Sequence, residues 1–424
     1  MQTAAASLDP REFGNELVSA QACADPQRIH RALTVLRAHG RPLWVTPDNF
    51  RPFWAVGCHA QVVAASSDNA LFISSRRLNL MSRLQEAAAF KGAQRYGQVL
   101  RTLVHMDEPD HKKYRAVAQY WFTAAAVKRQ QGILEELTHE FAAKFGSSPG
   151  GEIDFAAEVA TYFPLRVIMA ILGIPLEDLP LMHRLTKTLS APNDPDFSSN
   201  TDRGDSMFDS IPEFTDYFLK VIADRRRHPR DDLATVIAGG SIDGGPLGEL
   251  EAVSYFITMA VAGHDTTAAA MAGGCQALAE RPEQWARLKQ RPALLKSAAE
   301  EMLRWVTPIK HFMRSATRAC ELGGQAIRAG DGLALYYLAA NFDAAVFEKP
   351  FEFHIDRDPN KQISFGFGPH VCMGMALSRL ELTVWFGEML RRLESIEMAG
   401  PARLLESNFL GGYKSVPIRY TLAR

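Results

Sequence analysis

Between about residues 110 and 292 apolar residues recur three and four positions apart, as in Ile133, Leu134, Leu137 and Phe141, the spacing of one helix face. Breaks fall at 146–151, Pro175 and 192–204, where Gly and Pro collect. Ahead of this body, Pro42-Leu43-Trp44-Val45 and Phe53-Trp54-Ala55-Val56 flank a turn-rich Pro47-Asp48-Asn49, which predicts a small hairpin within 42–64. Behind it, short β-prone pieces such as 332–337 alternate with two helices, one ending near Trp305 and one opening after Cys372. The longest helical candidate runs from Pro246 to Glu280 and would reach about 50 Å. Its middle, Tyr255 to Gly263, is apolar on every face, as a helix crossing a core should be. Gly263, Gly273 and Gly274 each cost about 1 kcal/mol relative to Ala, so something must need their missing side chains. The pattern predicts a mainly α fold with a minor β region, one domain over 1–424. Its parts are an N-terminal segment (about 1–40), a β-rich part (42–80), a helical body (105–310) and a mixed β part around the cysteine loop (311–424). Because helices of the same character flank 192–204, that stretch reads as a mobile loop and candidate lid, not a linker.

Composition narrows the function classes. With 47 basic and 48 acidic residues the net charge is −1, which gives no electrostatic case for nucleic acid or an anionic membrane. The longest apolar run, Val167 to Ile174, is far short of the roughly 20 residues a spanning helix needs. The N-terminus lacks the basic start and apolar middle of an export signal, so the expected location is the cytoplasm. Cys23, Cys58, Cys275, Cys320 and Cys372 are odd in number and form no C-x-x-C pair, so neither a disulfide framework nor a cysteine-rich zinc site is indicated. Four of them read as small buried residues.

The chemistry concentrates at Phe365-Gly366-Phe367-Gly368-Pro369-His370-Val371-Cys372-Met373-Gly374. A cysteine in a Gly/Pro-rich loop begins an apolar helix, so first-turn N–H groups point back at its sulfur and favour a thiolate. Gly368 and Gly374 let backbone approach a flat ligand closely, while Phe365 and Phe367 can cover the sulfur. A flat soft-metal cofactor, haem, fits these features. An isolated Asp265-Thr266 on an apolar helix is more often a satisfied polar turn, and Glu301 with Arg304 three residues on is more often a surface ion pair.

The pattern F-x-x-G-x-x-x-C-x-G resembles the haem-binding signature of the cytochrome P450 family, and the resemblance runs from about residue 42 to the C-terminus. It implies the P450 fold, a triangular helix-rich prism with haem b (protoporphyrin IX iron) between the long central helix and the cysteine-loop helix. Cys372 then matches the axial thiolate, whose electron donation assists O–O cleavage. Phe365, Gly366, Gly374 and Gly263 lie against the cofactor by the same resemblance. Gly263 also leaves room for dioxygen. His111, Arg115, Arg314 and His370 fall at propionate-binding positions. Ala262-Gly263-His264-Asp265-Thr266-Thr267 is similar to the oxygen-activation motif, which makes Asp265 and Thr266 the proton-delivering pair. The Thr hydroxyl bonding four residues back would open the helix. Glu301-Met302-Leu303-Arg304 with Arg357 looks like the E-x-x-R clamp that supports the cysteine loop.

The segments 407–418 and 308–314 look like the bacterial branch that oxidises terpineol. The implied activity is monooxygenation of a small apolar substrate, a terpenoid or similar hydrocarbon-like molecule. Dioxygen supplies the atom, and NAD(P)H supplies electrons through a reductase and an iron–sulfur ferredoxin. Lys112, Lys113, Arg115, Lys361 and Arg379 offer a basic patch for that ferredoxin. The expected pocket comprises Thr258, Val261, Ala262, Ile309, Phe312, Phe409 and Leu410, with residues between Leu84 and Leu103. Lys310 and His311 are expected to face outward. Met373 and Ser378, where relatives carry Leu and Ala, should alter packing only. The expected state is a monomer with no nucleic-acid or membrane partner. Rival readings are a non-catalytic haem or ligand carrier of the same fold, a peroxide-driven peroxygenase, and a cofactor-free hydrolase. The intact Asp265-Thr266 pair opposes the first two, and the lack of a G-x-S-x-G elbow opposes the third.

Overall fold

The apolar stripes of these helices need a common interior, and the computed structural model, which describes residues 9–96, 100–192, 194–197 and 210–423, packs them around one large core. The expected hairpin is present: Leu43–Val45 pairs antiparallel with Phe53–Val56. It continues through Gly332–Tyr336 and His311–Ala316 to Phe72–Ile73 in a five-stranded sheet. The first forty residues, which carried no structural assignment, contain helices Pro10–Val18, Ala20–Ala24 and Pro26–Ala38. Each is started by a side chain, Asp9, Ser19 or Asp25, that accepts a first-turn N–H.

Two features depart from the expected pattern. Gly150 and Gly151, read as a helix break, lie in strand Gly150–Asp154 inside the helical body, paired with Pro417–Leu422 and through it with Leu393–Met398. A Cβ on Gly150 would stand 2.7 Å from the Tyr420 carbonyl oxygen, so this glycine permits a close backbone approach. The single helix expected over 246–280 is two helices, Glu249–Ala262 and Asp265–Ala279. At the break the Thr266 hydroxyl donates to the Ala262 carbonyl at 2.8 Å, the acceptor that Thr266 N–H would use in a continuous helix.

The glycines of this split helix have packing partners. A Cβ on Gly263 would lie 2.9 Å from Ile168 Cδ1 of helix Phe163–Leu172, so its bareness serves helix packing. Gly273 is pressed by Val306 and Tyr413, and Gly274 by Met302. The second half of the split helix packs on Leu295–Val306 and on Met375–Arg392, the helix that follows the cysteine loop. That last helix is fixed by Trp385, fully buried among the rings of Phe145, Phe155 and Phe163 at 5.3–6.4 Å. Among the described residues, no helix is long and apolar enough to cross a membrane. Cys23 and Cys275 are buried as expected, whereas Cys58 and Cys320 are only partly so.

Candidate active site around Cys372

The cysteine loop is shaped by two glycines in the left-handed region, Gly366 at φ +74° and Gly368 at φ +73°. A Cβ on Gly368 would lie 2.3 Å from the Ser66 carbonyl oxygen, so the loop rests directly on helix His59–Ser67. Cys372 N–H donates to the Phe365 carbonyl at 2.8 Å, which closes the loop and turns the sulfur toward the following helix. The helix starts at Met375, and nothing but the Cys372 sulfur, at 3.9 Å, is near a Cβ built on Gly374. The Cys372 side chain opens onto a cleft while lying deep in the protein. Burial pushes its thiol up, against the opposing Gly374 N–H and the charges of Arg115 and Arg379. The helix start alone therefore does not make the thiolate that the sequence suggested; coordination to a metal ion would deprotonate it outright.

Cationic and imidazole groups gather beside this sulfur. Arg115 lies close enough to Cys372 for the two to interact, and its guanidinium makes no hydrogen bond or ion pair among the described residues. Arg314 is buried, and among the described residues its guanidinium has only the Met313 carbonyl as acceptor, at 2.8 Å. The His111 and His370 rings lie 4.0 Å apart. His370 is pushed down to about 3, first by burial and then by Arg314, His111 and Arg115, so it sits neutral within a positive field. Its Nε2 meets Ser74 Oγ at 3.3 Å, and Ser74 N–H is held by Asp107. Among the described residues Glu108, 3.4 Å from His111 Nδ1, and the neighbouring Asp107 offset this charge. Buried guanidinia without carboxylates call for an anionic partner. A soft sulfur donor with two arginines and two imidazoles beside it fits an iron porphyrin with its two carboxylates.

Behind the loop lies the clamp. Glu301 and Arg304 are fully buried; Arg304 Nε and Nη2 donate to the carboxylate at 2.8 Å each, and Arg357 Nε adds contacts of 3.0 and 3.1 Å. Asn360 Nδ2 and His354 N–H complete the shell of donors around Glu301. Arg304 Nη1 also binds the Asn341 and Pro350 carbonyls. Asn341, which sequence reasoning missed, links the clamp to the loop: its amide donates to Ser364 Oγ at 2.8 Å and its oxygen accepts Ile363 N–H at 2.9 Å.

At the helix break, Asp265 is ion-paired with Lys187 of helix Leu179–Ser190 at 2.5 Å, both side chains being buried. Burial opposes ionisation of Asp265, yet His264, the Lys187 ammonium and the nearby Ser190 hydroxyl hold its carboxyl well below the usual range. His264 is itself pushed down to about 4 by burial, so the ammonium is the dominant charge. His264 Nε2 sits 2.7 Å from the Thr161 carbonyl and Nδ1 3.3 Å from Thr186 Oγ1, which ties the break to two neighbouring segments. Neither Lys187 nor His264 was singled out from sequence. One turn on, Thr267 Oγ1 donates to Ser378 Oγ at 3.4 Å, joining the split helix to the cysteine helix; Ser378 thus does more than alter packing.

The expected pocket residues are partly assembled. Ile309 and Leu410 form a β-bridge, and the Phe312 and Phe409 rings are 5.4 Å apart. Thr258 directs its hydroxyl to the Ser254 carbonyl; Val261 is half-buried and Ala262 exposed on the same helix. The expectation that Lys310 and His311 face outward is overturned. Lys310 Nζ donates to the Cys23 and Ser407 carbonyls at 3.0 and 2.7 Å, and His311 Nε2 accepts Leu80 N–H at 3.1 Å. Of the basic patch, Arg115 turns inward, Lys113 pairs with Asp243 and Arg379 with Glu300, while Lys112 and Lys361 remain exposed. A groove of about 760 Å³ runs along the cysteine helix, flanked by exposed Lys128 and Lys296. Of the lid, residues 193 and 198–204 lie outside the described residues. Asp194 is buried and bound by Lys414 at 3.1 Å. Side chains of 92–99, within the Leu84–Leu103 stretch, also lie outside the described set.

The Cytochrome P450 family profile matches residues 101–400. The chain belongs to the cytochrome P450 family. It is 34% identical over 423 residues, 98% of both chains, to cytochrome P450-terp of a Pseudomonas species. It is 32% identical over 321 residues, 75% of this chain and 72% of the relative, to steroid C26-monooxygenase of Mycobacterium tuberculosis. The crystal structure of CYP108D1 from Novosphingobium aromaticivorans superposes with a TM-score of 0.89 at 38% identity, covering 98% of this chain and 99% of that one. This P450 is a monooxygenase of a haem-iron family, and the helix-rich fold expected from sequence is the P450 fold.

Proposed function

We propose that this P450 oxygenates a small apolar substrate of terpenoid type, with haem b held through Cys372 and electrons delivered by an iron–sulfur ferredoxin and its NAD(P)H-dependent reductase. The bound haem supplies dioxygen binding and activation. His111, Arg115, Arg314 and His370 would receive its carboxylates, and the gathering of unpaired cations beside the cysteine sulfur supports that assignment. Phe365, Gly366 and Gly374 shape the loop around the sulfur, and Glu301, Arg304 and Arg357 hold that loop from behind.

Thr266 Oγ1 would supply a proton to the reacting oxygen, and the ionised Asp265 would restore it by first accepting a proton from solvent and then passing it to the Thr266 oxygen. The single observation that carries this reading is the Thr266 hydroxyl bond to Ala262 at the helix break, beside an ionised Asp265. Replacing Thr266 by Ala should leave haem binding intact while reducing equivalents appear as hydrogen peroxide instead of product. Unchanged product per NAD(P)H would remove Thr266 from the mechanism.

The substrate class rests on the lining. Ile309, Phe312, Phe409 and Leu410 are apolar, and the polar groups among them, Lys310, His311 through Nε2 and Thr258, bond the protein's own backbone, with His311 Nδ1 left unbonded. Cytochrome P450-terp and the pseudoionone complex of the 28% identical CYP268A2 from Mycobacterium marinum point to the same chemistry. A panel of terpenes, fatty acids, aromatics and steroids, titrated against the haem absorption band, tests this; terpenoids should give the tightest spin-state change, and a steroid preference would overturn the assignment. Docking of an acidic ferredoxin on the cysteine side is supported by Lys112, Lys128, Lys296 and Lys361. We further infer a cytoplasmic monomer.

A further inference from the structure

Behind Asp265, away from the bond to Ala262, lies a cavity of about 10 Å³, room for one water molecule. Lys187, Asp265, Thr161 and Tyr413 line it, and alanines such as Ala268 and Ala272 form its wall. The polar groups around it are incompletely bonded. Asp265 is 3% exposed and its Oδ2 has no hydrogen-bond partner; Ser190 Oγ, though close, is outside bonding geometry. Lys187 is 6% exposed, and among the described residues its ammonium makes one hydrogen bond, to Asp265 Oδ1, out of three available protons. A buried ion pair is stable only when its remaining lone pairs and protons are also satisfied.

We propose that this cavity binds one ordered water that bridges Lys187 and Asp265 Oδ2. The site is an ammonium donor and a carboxylate acceptor beside a volume too small for anything larger. The bound water fixes the rotamer of Asp265 beside Thr266. The inference deepens the role proposed for Asp265, and it rests on that reading.

A crystal structure of the haem-loaded enzyme, at a resolution where ordered waters are seen, tests the site directly. It should contain one density peak within hydrogen-bonding distance of Lys187 Nζ and Asp265 Oδ2. Ala268→Val, on the cavity wall about one helical turn from Asp265, should fill the cavity and abolish the peak; product per NAD(P)H should fall about fivefold, the size of one net hydrogen bond, with an unchanged carbonyl spectrum. A wild-type cavity without density overturns the proposal whether or not the variant folds. So does full coupling in a variant whose water is absent. Either failure leaves the Thr266 reading standing, because that reading fails only if Thr266→Ala remains coupled.

Discussion

Lys187→Met isolates the electrostatics of the proton-delivery site. The substitution keeps the length of the side chain and removes the ammonium that stands 2.5 Å from the buried Asp265. Leaving one charge of a buried pair unpartnered costs about 3–5 kcal/mol. Asp265 can escape part of that cost by taking a proton, for which it must give up about 1.4 kcal/mol for each pH unit above the ordinary carboxylate value. In the wild type the folded pKa is depressed, so the contribution of Asp265 is complete above the unfolded value and is lost only as pH falls through the folded one. From pH 5 to 8 it is flat. In the variant the folded pKa is raised and the sign reverses, so stability declines as pH climbs. The deficit of the variant should be about 1–2 kcal/mol at pH 5 and about 3–5 kcal/mol at pH 8. Urea unfolding of the haem-loaded proteins, followed by circular dichroism and the Soret band across that range, measures it. A deficit that stays constant with pH, or shrinks, would refute the argument.

Glu301→Gln strands two buried guanidinia and should cost about 3–5 kcal/mol, with loss of haem on mild heating; a variant as stable as wild type would show that the clamp is dispensable. Arg115→Met should weaken haem retention, measured by transfer to apomyoglobin, while the fold is unchanged by circular dichroism; unaltered transfer would remove Arg115 from the cofactor site. Glu381, buried with one unbonded oxygen, is held protonated by burial. Wild-type stability should therefore fall with rising pH above the ordinary carboxylate value, by up to about 1.4 kcal/mol per unit from this group. Glu381→Gln should flatten the slope, and an unchanged slope would mean the acid is ionised.

The fold was legible through one local pattern: the cysteine-loop signature resembles that of the cytochrome P450 family, and that resemblance implied the fold together with the roles expected of Asp265, Thr266 and the clamp of Glu301, Arg304 and Arg357. Lys187 was not legible, because it meets Asp265 from 78 positions away and has no periodic signature in its own helix. Lys310 misled for a similar reason. A lysine in a β-prone run reads as solvent-facing, and its burial depends on the Cys23 and Ser407 carbonyls that only the folded chain brings to it. Glycine misled once: Gly150 marks a close strand pairing instead of a break. A residue without a side chain announces that something is near and leaves open what it is.

The account depends most on Cys372 as the iron ligand. Purified protein supplied with haem, then reduced and exposed to carbon monoxide, should develop the long-wavelength Soret maximum of sulfur ligation. A protein that remains colourless, or whose carbonyl band lies at the shorter wavelength of nitrogen ligation, would contradict it.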